Sequence, residues 1–158
     1  MARCAIATAL ALALAVVAGG LFLSAAASPP SSADTAGTVC DEGLQRYTIA
    51  TKHAVAQAFP QIEQIGGFRP DPLNGHAFGL ALDILIPGDP ASPVRVAVGD
   101  DIRDFLPTHA EQLGVGHLIW RQHIYHADGT WQAMQNRGSP STSNVDHLHV
   151  VTKGGGYP

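Results

Sequence analysis

Cysteine is almost missing from this chain: Cys4 lies in an apolar leader, and Cys40 stands just after it. With the leader removed only Cys40 is left, which excludes an internal disulfide. No helix start and no histidine lies close to Cys40 in sequence, so little there would activate it as a nucleophile. A basic excess is missing too. Nine Lys and Arg face thirteen Asp and Glu, and without Arg3 the balance is about −5, which gives no basic face for a nucleic-acid partner. No internal repeat is present. A chain of 158 residues, 46% of them hydrophobic, buries one real core but not two.

What is there begins with Arg3, an apolar run over residues 4–23, and then Ser24-Ala25-Ala26-Ala27-Ser28. A positive start, an apolar middle and small residues predict a secretory signal peptide over 1–28, cleaved in the mature protein. The competing expectation is an uncleaved anchor through residues 4–23, which approach the ~20 apolar residues of a spanning helix. No basic stop-transfer cluster follows the run, which favours cleavage. Either way the folded part is expected outside the cytoplasm, secreted or at the cell wall, with a membrane contact only if the segment stays uncleaved. Residues 29–39, starting Pro29-Pro30-Ser31-Ser32, are too poor in apolar side chains to pack and read as a disordered spacer. The domain is expected over 40–158.

Within it, Ile49, Val55, Ala56 and Phe59 fall at helical spacing and Pro60 closes the segment, predicting a helix over 44–59. Residues 62–68 have strand character interrupted by Gly66-Gly67, and 80–86 form an apolar run between Gly79 and Pro87-Gly88 that suits a buried strand. A second helical region covers 94–113, with Pro107 expected to break it or start a fresh turn. Residues 116–125 and 148–152 make a strand-rich second half, with a turn at Ala127-Asp128-Gly129 between them. Aromatics on strands, such as Trp120, Tyr125 and Trp131, belong more often to a core than to a cleft.

Two stretches carry the chemistry: Gly75-His76-Ala77-Phe78-Gly79-Leu80-Ala81-Leu82-Asp83 and Asp146-His147-Leu148-His149. Imidazole with carboxylate is a common three-ligand set for a zinc ion that keeps a position open for water, and His76, Asp83 and His149 supply it. Asp83 lies inside an apolar strand, where an unpaired carboxylate costs several kcal/mol of desolvation, so it must meet a metal or a buried Arg, or become neutral. The other histidines lack such surroundings. His117, His123 and His126 have no matching ligands near them and are expected on solvated strand faces.

The segment 74–83 resembles the Ser-x-His-x-x-Gly-x-Ala-x-Asp signature of the zinc D-Ala-D-Ala carboxypeptidases and L-alanyl-D-glutamate endopeptidases. His76, Gly79, Ala81 and Asp83 match, while Asn74 replaces the signature Ser and Leu148 replaces a Trp often found before the last ligand. Asp146 stands three positions before His149, as an acidic residue does in that family, and Gly67-Phe68-Arg69 looks like its aromatic-Arg element. The resemblance spans most of 44–152. It implies the α+β fold of the lysostaphin, D-Ala-D-Ala peptidase and hedgehog group: a small antiparallel sheet flanked by helices, one domain carrying a zinc site. It also implies Asp146 as general base and Arg69 as the stabiliser of charge developing on the carbonyl oxygen. Strand geometry adds another candidate, because residues two apart share a face and His147 therefore accompanies His149. Asp146 is the first expectation for the base and His147 the second, the latter also as an oxyanion donor or as support for a ligand. Arg69 has a plainer alternative in a surface salt bridge with Asp71.

Three functions follow from this reading. The first is a secreted zinc metallopeptidase that hydrolyses peptidoglycan stem peptides through metal-activated water. The second is an inactive wall-binding or interaction module of the same fold. A third, an iron oxygenase built on the two-His, one-carboxylate set, is disfavoured by the spacing of His76 and Asp83, since such sites usually bring those ligands much closer in sequence. Neither carboxypeptidase nor endopeptidase action, nor the oligomeric state, is legible in these residues.

Overall fold

The computed structural model describes residues 41–71, 75–126 and 128–158. The signal segment, the spacer, Cys40, Asn74 and Ala127 lie outside the described residues.

Alternation along the strands decides the two faces of the sheet. Strand β2 (Ala81–Leu85) turns Leu82 and Ile84 one way and Asp83 the other, and β6 (His147–Thr152) does the same with Leu148 and Val150 against His147 and His149. Strand β3 (Val115–Trp120) adds Leu118 and Trp120 to the apolar face, and β4 (His123–His126) adds Tyr125; all seven of these apolar side chains are buried. They pack on Val55 of helix α1 (Arg46–Ala58), Ile102 and Leu106 of α2 (Pro93–Thr108), and Leu113 of the short α3 (Ala110–Leu113). Burying a Leu, Ile or Val contributes roughly 1.5–3 kcal/mol each. That apolar face holds the sheet; the opposite face is free for chemistry.

The two-residue β1 (Ile65–Gly66) and the edge strand β5 (Trp131–Ala133) complete a six-stranded antiparallel sheet in the order β1-β2-β6-β3-β4-β5. This is the α+β architecture expected of the chain. The crossover that places β6 between β2 and β3 also places Asp83 directly opposite His149, and Leu85 opposite His147. Segments 66 residues apart in sequence are thereby joined by one strand pairing. Among the described residues no helix is long and apolar enough to cross a membrane.

Helix α1 has no side-chain cap. Its first N–H groups, which a helix leaves without intrahelical partners, instead donate to loop carbonyls: Gln45 to Gly79 at 3.0 Å, Arg46 to Gly156 at 2.9 Å and Tyr47 to Gly154 at 2.9 Å. Gly79 also accepts the Thr48 hydroxyl at 2.7 Å. Its backbone is left-handed, with φ 66°, and a Cβ there would run into the Gly43 carbonyl. Gly79→Ala is therefore expected to destabilise the protein by about 2 kcal/mol or more, seen as a Tm several degrees lower. A variant as stable as the wild type would show that this junction is not tight.

Three sequence expectations are corrected. The region 94–113 is split as expected, but at His109 rather than at Pro107, which falls in the last turn of α2 before α3 begins at Ala110. The run 116–125 is two strands, reversed at Arg121 and Gln122, both with positive φ of 46° and 64°. Such a two-residue turn normally announces itself with Asn-Gly or Gly. The turn at Asp128-Gly129 joins β4 to β5, a strand not expected from the sequence, and Gly129 donates to the His126 carbonyl at 2.9 Å. Trp120 and Tyr125 are core residues, as aromatics on strands usually are, whereas Trp131 is exposed on the edge strand.

Candidate metal centre

His76 is delivered by a single 3-10 turn, His76–Phe78, bracketed by Gly75 and Gly79 with φ of 79° and 66°. Those two left-handed positions reverse the chain sharply at each end of the turn, a task that suits glycine. The turn lies against β2, so His76 reaches Asp83 from outside the sheet while His149 reaches it from the neighbouring strand.

The His76 ring is wholly buried, and its Nδ1 stands 2.8 Å from the Gly67 carbonyl. A carbonyl only accepts, so Nδ1 carries the proton, and Arg69 Nη1, 3.3 Å from the same nitrogen, is a close neighbour rather than a donor to it. The lone pair is left on Nε2. That atom is buried, has no hydrogen-bond partner, and lies 3.3 Å from Asp83 Oδ2. Across the carboxylate, His149 Nδ1 is 2.7 Å from Oδ1, and the two imidazole rings are 5.2 Å apart. Burial alone would raise the Asp83 pKa, but hydrogen bonding to His149 and then the contact with His76 hold the carboxyl well below the usual range. Two lone-pair atoms facing each other in a buried pocket need positive charge between them. One donor atom from each of His76, Asp83 and His149 lies within 4.8 Å of the others, a set that could hold a metal ion.

Arg69 closes the open side of this cluster, with Nη2 2.7 Å from Asp83 Oδ2 and 3.6 Å from Asp71 Oδ2. The Asp71 pair offered as the plainer alternative for Arg69 is present, and the same guanidinium also pairs with the candidate ligand Asp83. On the other side His147 Nδ1–H donates to Asp146 Oδ1 at 2.7 Å. The lone pair of His147 Nε2 accepts from the Asn144 amide at 2.9 Å and lies 3.5 Å from Asp83 Oδ1. Asp146 turns its second oxygen to the Ser141 hydroxyl. Its pKa is lowered: burial works to raise it, and the hydrogen bonds from Ser141 and His147 prevail. Asp83, His149, Arg69, His147 and Asp146 all line one cleft of about 800 Å³, whereas His76, wholly buried, is not part of its lining.

The model of the VldE C-terminal domain family matches residues 40–145. The chain belongs to that family. No curated protein and no solved structure matches the chain. The family match contains Arg69, His76 and Asp83 and ends just before Asp146, His147 and His149. The β2–β6 pairing sets Asp83, inside the match, directly opposite His149, beyond it.

Asn144, Ser141, Arg95 and Arg137 were not anticipated as members of the site. Asn144 is buried with φ 51°, a left-handed position that Asn tolerates better than most residues, and its carbonyl accepts the Arg121 N–H at 2.8 Å. The Ser/Thr/Asn-rich run 139–144 was the available signal. It resembles any polar loop until β6 shows where it ends. His117 also departs from expectation: it is half-buried on the face that bears His149, and burial, then the charges of His149 and His126, lower its pKa.

Proposed function

We propose that this chain is a secreted zinc-dependent peptidase that hydrolyses peptidoglycan stem peptides. The observation that carries the reading is His76 Nε2, an unpartnered buried lone pair aimed at a carboxylate that already faces a second imidazole. Two ligands each ~2.0–2.1 Å from a tetrahedral zinc lie roughly 3.4 Å apart, close to the 3.3 Å between His76 Nε2 and Asp83 Oδ2. The Gly67 carbonyl on Nδ1 is the outer partner that usually fixes a ligating His in its tautomer. Two imidazoles with one carboxylate suit zinc in hydrolytic sites, where the ion polarises the scissile carbonyl and lowers the pKa of water toward roughly 7.

The chain's own residues then divide the remaining work. Asp146 holds His147 with Nδ1 protonated, so the lone pair lies on Nε2, which exchanges its Asn144 amide partner for the attacking water and takes its proton. The same atom afterwards returns it to the leaving amine. This order, His147 as base and Asp146 as its orienter, reverses the first expectation from the family resemblance. It rests on two features of Asp146: both oxygens are already engaged, and its lowered pKa makes it a poor proton acceptor. Arg69 presents a fixed fork of donors beside the triad for the oxygen that becomes negative.

The choice of substrate rests on the resemblance and on an extracytoplasmic location. Zinc-loaded protein is expected to release new amino termini from purified peptidoglycan, to stop on chelation and to resume when zinc is restored. If no chelator-sensitive release occurs with several wall types, the domain is a binding module and the peptidase reading fails.

A further inference from the structure

Arg95, on the first turn of α2, is 4% exposed and lines the same cleft as Asp83 and His149. Its Nε donates to the Ile86 carbonyl at 2.9 Å and its Nη1 to the Val145 carbonyl at 2.8 Å. No carboxylate among the described residues pairs with it, and its Nη2 bonds to none of them. Arg137, on the loop between β5 and β6, is a second lining guanidinium; that loop bonds only to its backbone. Arg69, by contrast, already has Asp83 and Asp71. The carboxylates on the cleft do not compensate Arg95 and Arg137: Asp83 and Asp146 are held by histidines, Arg69 and Ser141, and Glu63 is exposed at the approach to β1.

A buried cation held only by carbonyl dipoles is costly unless an anion completes it. Burial indeed pulls the Arg95 pKa below its ordinary value, and the more distant fields of Asp146 and Asp89 only partly offset this. We infer that the cleft binds a free carboxylate of its peptide ligand at the guanidinium groups of Arg95 and Arg137. This rests on the peptidase reading for the ligand being a peptide, but the anion site itself does not depend on hydrolysis. Planar forks suit a planar carboxylate, which they can hold with two parallel hydrogen bonds. The carboxylate could be the chain terminus or an acidic side chain.

Three probes separate these cases: N-acetyl-D-Ala-D-Ala, its C-terminal carboxamide, and the carboxamide of N-acetyl-D-Ala-D-Glu. Binding to the chelator-treated protein is measured by calorimetry, so turnover plays no part. The free acid is expected to bind about ten- to a hundred-fold more tightly than the plain carboxamide. Arg137→Ala, an exposed loop variant that should fold, and Arg95→Gln should each shrink that preference while leaving carboxamide binding unchanged. A preference shown instead by the D-Glu carboxamide assigns the site to an acidic side chain and supports the inference equally. Equal affinity for all three, no binding of any, or a preference that survives both variants overturns it. Carboxylate preference without hydrolysis by zinc-loaded protein sinks the peptidase reading alone; hydrolysis without preference sinks the anion site alone.

Discussion

Asp83→Ala protein, loaded with zinc and gel-filtered, is expected to carry essentially no metal, and the wild type treated alike is expected to carry one equivalent per chain. Asp83 bridges the other two members of the triad, with His149 on Oδ1 and His76 beside Oδ2. Without it, two neutral imidazoles 5.2 Å apart remain, and the ion loses the one ligand that neutralises charge. Removing an outer-shell partner typically costs 10–100-fold in metal affinity, so loss of this inner ligand should cost more. Peptide hydrolysis should fall to background with it. Loss of the carboxylate also strips Arg69 of its 2.7 Å partner and His149 of its hydrogen bond, so folding must be checked by circular dichroism before the metal count is read. Asp83→Asn, which keeps the size and one acceptor, controls for packing and should still bind zinc far more weakly. Stoichiometric zinc in a folded Asp83→Ala protein would mean that the ion, if any, is held elsewhere.

The contrast between Asp83 and Asn144 shows where the sequence speaks and where it does not. Asp83 is legible because a carboxylate in an apolar strand is a conflict between local pattern and desolvation, and such conflicts mark sites. His76 is legible through the glycines at 75 and 79, whose left-handed backbone the structure uses directly. His149 follows from the strand that carries it. Asn144, Ser141, Arg95 and Arg137 offer no such conflict. Each is an ordinary residue in an ordinary loop or helix start, and its place on the cleft depends on a crossover that brings β6 beside β2, 66 residues earlier in sequence. The reversal at Arg121 and Gln122 was hidden for a related reason: two polar, non-glycine residues take positive φ only because the strands on either side pair with full register. Local propensity set the helices, the buried strands and the ligands. Long-range pairing set the cleft and everything that lines it.

His147→Ala is expected to keep its zinc and lose about 10²–10⁴-fold in kcat, the usual range for removing a positioned acid-base group. Its Nε2 lies 3.5 Å from Asp83 Oδ1, while Asp146, on the same cleft, has its oxygens engaged by Ser141 and by His147 Nδ1. Asp146→Ala should therefore act through His147: it removes the acceptor that fixes Nδ1–H, releases the ring to the other tautomer and slows turnover without displacing the metal. Because the two residues work as one unit, their losses should not add, and the double variant should be no slower than His147→Ala alone. A direct role for Asp146 makes the opposite forecast. Asp146→Ala would then be the more damaging change, His147→Ala would retain most of kcat, and the double variant would be slower than either. Metal content measured on each variant separates a lost base from a lost ligand, since His147 shares its sheet face with His149 and could otherwise be mistaken for one.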